Sequence, residues 1–276
     1  MSELWSEIVP SAIKMPYHIY KNRYSIQYWY KRLEVSFNKG KTNVVVVGRP
    51  SVGKTILTKH LNEKISIQTD KPETSSAVEV EVLKLKKWSK IIRTIPGQSS
   101  QERYQGLEEA FDKHYSLEGV IYVTDWGYTK VRDRLIEKKL IEEKGIENIQ
   151  ALRNHYLKLE LDDFNHILNK IKQAKANKRG PNWLLIAVNK VDLFYDKIDE
   201  AQKYYHPDFK SDFTSILNNF LSCVGDQNLK YISLPVACWE EDFIWNSEKI
   251  ETKLGGMDNK RVLFSNFYKK LTELSS

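Results

Sequence analysis

The chain has 276 residues, of which 41% are hydrophobic, and this size and composition predict one large domain or one domain with additions. Two cysteines argue against a disulfide framework, and no apolar run is long enough to cross a membrane, so the composition favours a cytoplasmic protein. The formal charge of +7 suits an acidic partner or an anionic membrane, and a dispersed, solvated basic surface accounts for it equally well.

Residues 1–42 form an extension that is rich in aromatic and basic side chains. Tyr20, Tyr24 and Tyr28 recur with helical spacing, whereas residues 33–37 alternate like a strand. We predict that the extension is mainly helical. Two interpretations stay open: a helix docked on the following domain, or an arm that contacts a membrane surface or a partner protein.

The next stretch predicts a buried strand, a glycine-rich turn and a helix. Residues 44–47 are four consecutive valines, typical of a strand buried on both faces. The turn that follows, residues 48–55, matches the phosphate-binding pattern G-x-x-x-x-G-K-T. Its glycines let backbone N–H groups fold around phosphate oxygens, Lys54 adds a charge on the β- and γ-phosphates, and the Thr55 hydroxyl is placed to ligate Mg²⁺. We assign nucleotide binding to Gly48, Ser51, Val52, Gly53, Lys54, Thr55 and Ile56.

The remainder predicts strands that alternate with helices. In the first half, the patterns indicate a strand over 78–85, a turn over 84–90, a strand through 91–95, a helix over 101–115 and a strand over 119–124. A charged and largely helical segment follows over 128–178, with a break near Gly145. The rest of the chain indicates a strand over 183–188, a last strand over 232–237 and a final helix that begins near Lys260. This alternation predicts an α/β fold with three layers, in which helices cover both faces of a mainly parallel central sheet.

A second motif follows the apolar strand at 183–188. Asn189-Lys190-Val191-Asp192 reads N-K-x-D. A carboxylate suits guanine, because guanine offers its N1–H and 2-amino donors to one pair of acceptor oxygens, and adenine lacks that pair of donors. An unpaired, buried Asp192 would therefore disfavour ATP. We expect Asn189 to brace the neighbouring loops and the Lys190 stem to cover the base.

These two motifs, in this order, resemble those of the Ras-like (TRAFAC-type) P-loop small GTPases. The resemblance covers roughly residues 43–275 and implies a G domain over 43–276, with 128–178 as a helical insertion longer than in a minimal member. It also implies Gly97 as a γ-phosphate ligand and Gln98 as the residue that orients the attacking water, because 94–98 stands where the family has D-x-x-G-Q.

The resemblance adds further residues to the nucleotide site. Thr74 stands where the family carries a switch threonine that ligates Mg²⁺ and closes over the γ-phosphate. The stretch after the last predicted strand stands where the family carries S-A-K, so the Ala237 backbone N–H is expected to meet the guanine O6, with Cys238 beside it. The implied ligands are GTP or GDP and Mg²⁺, with Thr55 and Thr74 as the metal ligands.

Three positions depart from the family pattern. Thr94 replaces an aspartate that holds Mg²⁺ through water, Cys238 replaces a lysine that packs on the base, and Pro50 removes one N–H from the phosphate loop. The change at Thr94 puts efficient hydrolysis in doubt. Arg49 and Arg103 are candidates for an arginine that reaches the γ-phosphate, by proximity in sequence alone.

The expected function is a GTP/GDP molecular switch with slow GTP hydrolysis. One alternative is a GTP- or GDP-binding interaction module without useful turnover, for which Thr94 argues. A P-loop ATPase or kinase is a further alternative, against which residues 189–192 argue. The partners expected are a protein effector or regulator and a peripheral membrane contact through residues 1–42, and no nucleic acid.

Overall fold

The computed structural model describes residues 42–62, 78–85, 88–97, 101–111, 116–225, 228–255 and 257–274. Apart from Thr42, the N-terminal extension lies outside these residues, and so do the predicted site residues Thr74 and Gln98. The predictions made for them stay predictions.

The centre of the molecule is a six-stranded sheet with the order β2-β3-β1-β4-β5-β6. All neighbours pair in parallel except the edge strand β2, which pairs antiparallel with β3. The mainly parallel central sheet predicted from the sequence is thus confirmed. The strands are β1 (Thr42–Val47), β2 (Glu79–Leu85), β3 (Trp88–Thr94), β4 (Leu117–Thr124), β5 (Trp183–Val188) and β6 (Lys230–Pro235).

Seven helices are described, and they cover both faces of this sheet. A separate two-stranded hairpin, β7 (Phe243–Trp245) with β8 (Glu248–Ile250), lies between β6 and the last helix. The helices are α1 (Lys54–Asn62), α2 (Gln101–Phe111), α3 (Arg134–Glu142), α4 (Ile149–Ala176), α5 (Ile198–Tyr205), α6 (Asp212–Val224) and α7 (Met257–Leu274).

Strand alternation divides the core into two layers of packed side chains. Val44 and Val46 of β1 face a cluster formed with α1 and α7, whereas Val45 and Val47 face the larger cluster formed with α2, α4, α5 and α6. All four valines are at most 1% exposed, so the run of valines is a strand buried on both faces, as its sequence predicts.

Where β4 and β5 pair, a tryptophan side chain on one strand occupies the space above a glycine on the other. Gly119 of β4 lies opposite Trp183 of β5. A Cβ placed on Gly119 would come within 2.0 Å of the Trp183 indole, which is itself 1% exposed. The indole therefore fills the volume that a side chain at position 119 would take.

The charged segment between β4 and β5 holds a short helix and a long one. Helix α4 has 28 residues, which makes it about 42 Å long. The side chain of Asn148 caps its N-terminus by accepting from the Ala151 N–H at 2.8 Å. The hairpin adds a second cap, because Glu248 accepts from the Ile149 N–H at 2.7 Å. The predicted helical segment over 128–178 and its break near Gly145 are confirmed.

Several boundaries and elements differ from the sequence prediction. The turn predicted over 84–90 is wrong, because β2 runs to Leu85 and β3 begins at Trp88. The strand expected over 232–237 occupies 230–235 and is not the last, since the β7–β8 hairpin follows it. Helices α5 and α6 and this hairpin were not predicted. Among the described residues, no helix combines the length and the apolar character needed to cross a membrane.

Candidate functional site

The phosphate loop connects β1 to α1 and is held closed by its own lysine. The Lys54 ammonium donates to the carbonyl of Gly48 at 2.9 Å and to that of Arg49 at 2.7 Å. An ammonium has three donors, so one is left for a phosphate oxygen. Burial, followed by the charge of Arg103, lowers the Lys54 pKa to about 7. A phosphate bound here would restore the charge on this lysine.

The base motif after β5 is braced against the phosphate loop. Asn189 donates through Nδ2 to the Val52 carbonyl at 2.8 Å and accepts through Oδ1 from the Cys238 backbone N–H at 3.1 Å. Gly53 makes this approach possible: its φ is +96°, and a Cβ there would lie 2.2 Å from Asn189 Nδ2. One amide thus joins three loops, those after β1, β5 and β6.

Asp192 carries a buried acceptor that has no partner in the described part of the chain. The residue is 1% exposed and its Oδ1 atom forms no hydrogen bond there. Burial raises the Asp192 pKa to about 7, against hydrogen bonds from the backbone N–H groups of Asp192 and Glu241 that lower it. An unpaired acceptor in the interior is costly, so this oxygen is suited to a ligand that brings donors.

Lys190, two residues before Asp192, has a strained backbone conformation. Its φ of +59° is in the left-handed region that non-glycine residues rarely adopt. Its ammonium pairs with Asp125 at 2.7 Å and donates to the Tyr128 carbonyl at 2.7 Å. Strain of this kind collects at functional sites, where the surrounding contacts hold it.

The loop after β3 packs directly on the phosphate loop. A Cβ on Gly97 would lie 2.3 Å from the Pro50 nitrogen and 2.5 Å from the Arg49 carbonyl carbon. Position 97 therefore requires glycine on space alone. The two loops that the sequence assigned to the phosphates are in backbone contact.

Thr94 ends β3 at the position where an aspartate was expected. Its hydroxyl lies 3.0 Å from the Thr58 hydroxyl, which also donates to the Lys54 carbonyl at 3.0 Å. Thr94 is 3% exposed and Thr58 is 1% exposed. This neutral pair replaces a charged group, so the site has no carboxylate at that point.

Thr55, whose hydroxyl the sequence assigns to Mg²⁺, lies near the start of α1. Unlike Thr94, it is half-buried, and its hydroxyl forms no hydrogen bond with any described residue. No cluster of three or more His, Cys, Asp or Glu side chains that could hold a metal occurs in the described residues. The donor set fits Mg²⁺ nonetheless, since this ion is commonly held by one or two protein groups together with substrate phosphates and water.

The other predicted site residues lie around the same edge of the sheet. Ala237 and Cys238 are buried directly after β6, and burial raises the Cys238 pKa well above its ordinary value. Val52 is buried, and Ser51 has a left-handed φ of +62°. Ile56 is half-buried against the layer of α1 and α7.

The family comparison agrees with this geometry. A family model described as 50S ribosome-binding GTPase matches residues 43–190, which is more than half of the chain. The chain belongs to this GTPase family. Membership implies binding of a guanine nucleotide, and the matched range contains the whole phosphate loop and the first two residues of the base motif.

Solved structures that match this chain over most of its length include two receptors of the signal recognition particle and one small GTPase. The mammalian SRP receptor matches at 17% identity with a TM-score of 0.47 and covers 84% of this chain and 99% of its own. The Arl6 BBS3 small GTPase from Trypanosoma brucei, with a bound nucleotide analogue, matches at 12% and 0.43, covering 86% and 99%. The signal recognition particle receptor SRb-GDP from Chaetomium thermophilum matches at 14% and 0.43, covering 85% and 99%. No curated protein matches the sequence.

Sequence reasoning missed the support that the GTPase site receives from α2 and α4. The Arg103 guanidinium donates to the carbonyls of Gly48 at 3.0 Å, Pro96 at 3.0 Å and Gly97 at 3.3 Å, and it forms an ion pair with Asp163. This arginine connects the phosphate loop, the loop after β3 and the long helix. No motif marks it, because its partners are mostly backbone carbonyls.

Arg49 is also engaged away from the phosphates. It donates to the Leu159 carbonyl at 3.2 Å, and its guanidinium carbon lies 5.6 Å from the centre of the Tyr156 ring. Both arginines proposed from sequence as γ-phosphate ligands are thus held by α4 in this conformation.

Proposed function

We propose that this GTPase-family protein is a guanine-nucleotide switch that hydrolyses GTP slowly with Mg²⁺. One observation carries the choice of base: the Asp192 Oδ1 atom is buried and unpaired among the described residues, in a loop that Asn189 connects to the phosphate loop. Guanine brings two donors to a carboxylate, whereas adenine brings no matching pair. Binding guanine removes the cost of the unpaired acceptor.

The phosphates would be held by groups that are already in place. The third donor of Lys54 and the backbone N–H groups of the phosphate loop can donate to phosphate oxygens, and the positive end of α1 adds to this attraction. The Gly97 N–H lies in the loop that contacts the phosphate loop, as a γ-phosphate ligand would. Such preorganised donors account for most of the catalysis in phosphoryl transfer.

Mg²⁺, when bound, would neutralise charge that develops between the β- and γ-phosphates. Thr55, whose hydroxyl forms no hydrogen bond with a described residue, would hold the ion, and Thr74 is proposed to join it. Gln98 is proposed to orient the attacking water. Thr94 lacks the charge with which an outer carboxylate would strengthen this arrangement, so we expect hydrolysis to be measurable but slow.

The second candidate is a nucleotide-binding module with no useful turnover. The observation that favours it is the neutral pair formed by Thr94 and Thr58, which leaves the metal with fewer charged neighbours. Single-turnover hydrolysis of Mg²⁺-GTP separates the two candidates. A rate equal to that of GTP without protein would favour the module, and a slow rate that Gln98→Leu reduces further would favour the switch.

Base choice is tested by Asp192→Asn. The carboxamide turns one acceptor into a donor, so we expect at least tenfold weaker binding of GTP and a gain in relative affinity for xanthosine triphosphate, which has a carbonyl at position 2. The matched control is Asp196→Asn, since Asp196 follows on the next turn and is half exposed in a pair with Lys253. Unchanged GTP affinity in the Asp192 variant would remove this residue from the site.

A further inference from the structure

A cavity of about 600 Å³ opens beside the phosphate loop, and of the described residues assigned to the nucleotide only Ser51 lines it. One wall is Arg49, Pro50 and Ser51, another is the segment over 129–144, and the third is the first part of α4, including His155. Gly53, Lys54 and Thr55 are not among its lining residues. We call this space the basic cavity.

The charge of the basic cavity is almost entirely of one sign. Five cationic side chains from two of its walls converge on it, and Asp133 is the single carboxylate among the described lining residues. Asp133 is already committed, because its side chain accepts from the Leu135 N–H at 2.8 Å and caps α3. The five cations are Arg49, Lys130, Arg132, Lys139 and Lys144.

At least two of these cations have no carboxylate partner among the described residues. Lys130 pairs with Glu241 at 2.6 Å, but neither Lys139 nor Lys144 forms an ion pair with any residue that the structure describes. The neighbouring Lys138, in contrast, pairs with Glu142 within its own helix. Charge that is unbalanced in a concave space raises the local concentration of anions.

His155 lies in the wall of the basic cavity, among these cations. Burial lowers its pKa, and the charges of Lys144, Arg49 and Lys158 lower it further. Lys144 and Arg49 thus act on a side chain in the wall of the cavity in the direction that disfavours a further positive charge.

The shape favours a small ligand over a protein face. A volume of about 600 Å³ falls within the range of roughly 300–1,000 Å³ typical of sites for small molecules. A stable protein interface buries about 800 Å² on each partner and is usually flatter. Phosphate is one of the groups that lysine ammonium and arginine guanidinium groups recognise, and two or more phosphates match several cations around one space.

We propose that the basic cavity binds a small molecule or headgroup that carries two or more phosphate groups, at a site separate from the bound nucleotide. Lys139 and Lys144 supply the charge that is not otherwise balanced, and Arg49 borders both this ligand and the phosphate loop. The free metabolite and the lipid headgroup share this chemistry.

The test uses the full chain saturated with GDP and Mg²⁺, so that the phosphate loop is filled. Inorganic tripolyphosphate is titrated into it by calorimetry. We expect one additional site per chain, weakened at least tenfold in Lys139→Ala/Lys144→Ala and changed less than twofold in the control Lys138→Ala. These lysines are exposed, so the variants are expected to fold, which a melting curve checks.

A second set of measurements distinguishes this site from the nucleotide site and identifies the source of the phosphates. Lys54→Ala should lose nucleotide but keep tripolyphosphate binding. Sedimentation with phosphatidylcholine vesicles, with and without phosphatidylinositol bisphosphate, distinguishes a lipid headgroup from a free ligand, and either result is consistent with the site. The proposal is overturned if tripolyphosphate does not bind beside GDP, if it binds equally to the double variant, or if Lys54→Ala abolishes it.

Discussion

The loop after β5 and the loop after β3 meet the same phosphate loop, but they are built differently. On the β5 side, hydrogen bonds fix the Asn189 amide, and the buried Asp192 carboxylate keeps one acceptor without a partner among the described residues. Both residues match the family pattern. On the β3 side, Gly97 allows close backbone contact with the phosphate loop. The aspartate of the family pattern is replaced there by Thr94, whose hydroxyl pairs with that of Thr58. The difference teaches that the parts needed to bind a guanine nucleotide are separable from those that hold its metal.

Lys54→Ala should have the largest effect on nucleotide binding, because Lys54 holds the phosphate loop that both neighbouring loops contact. The variant loses a charged contact to phosphate and leaves two loop carbonyls without their donor. Hydrogen bonds to charged groups contribute about 1.5–3 kcal/mol each, so GTP and GDP affinity should fall about a hundredfold. Titration with a fluorescent nucleotide measures this, with Lys59→Ala on the same helix as the control. Wild-type affinity in the Lys54 variant would refute the phosphate-loop assignment.

Asn189→Ala breaks the brace on the β5 side alone. It removes the bond to the Val52 carbonyl and leaves the buried Cys238 N–H without its acceptor. A loss of about 2 kcal/mol is expected, which corresponds to roughly thirtyfold weaker guanine nucleotide binding. Asn182→Ala, at the exposed opposite end of the same strand, should leave affinity unchanged. If both variants bind equally well, the brace does not organise the site.

Acid should weaken the selection for guanine, whereas a rise in pH should weaken phosphate binding. The Asp192 pKa is raised to about 7, and a bound guanine favours the carboxylate, so this contribution is complete above pH 7 and is lost as pH falls. The Lys54 pKa is lowered to about 7, and phosphate favours the ammonium, so its contribution is complete below pH 7 and is lost as pH rises. The ratio of GTP to ATP affinity cancels the second effect.

This ratio should fall about fivefold between pH 7 and pH 6, because a carboxyl group with a pKa of about 7 goes from about half ionised to about one tenth ionised. Competition binding at a series of pH values measures it. The same series with Asp192→Asn should be flat, since the carboxamide does not titrate. A wild-type ratio that is independent of pH would show that Asp192 does not read the base.

Thr94→Asp tests the β3 side and should have the smallest effect on binding. The new carboxylate restores a charge near the metal, so the Mg²⁺ concentration needed to retain nucleotide should fall about fivefold, on the order of 1 kcal/mol. Without Mg²⁺ the variant should melt at a lower temperature than wild type, because it buries an uncompensated charge. Thr94→Ser keeps the hydroxyl pair and serves as the control. Equal Mg²⁺ dependence in both variants would contradict the assigned role of this position.

The sheet and the two loops were predictable because local sequence determines them. Four valines in a row, a glycine-rich turn and N-K-x-D are short patterns with one structural meaning in this order. The boundary between β2 and β3 was not predictable, since the polar and basic residues at 84–90 fit a turn as well as paired strand ends. Helix α6, with its capping box at Ser211 and Thr214, was missed although that signal is local.

The remaining features of the site depend on contacts between distant elements. Arg103 and Asp163 are 60 residues apart and meet only when α2 and α4 pack on the same face of the sheet. Glu160 likewise accepts from Tyr205 at 2.8 Å in the interior, and burial raises its pKa to about 8. Neither pair has a spacing or a motif that sequence reasoning can use.

The pair formed by Gly119 and Trp183 has a consequence for how this chain can vary. A side chain at position 119 would collide with the indole at 2.0 Å, so Gly119 cannot be replaced alone. Replacing Trp183 alone would empty a space between two buried strands. We therefore expect the two positions to change together among relatives, with a smaller residue at 183 wherever 119 carries a side chain. Aligned sequences of the family would show this as covariation between neighbouring strands.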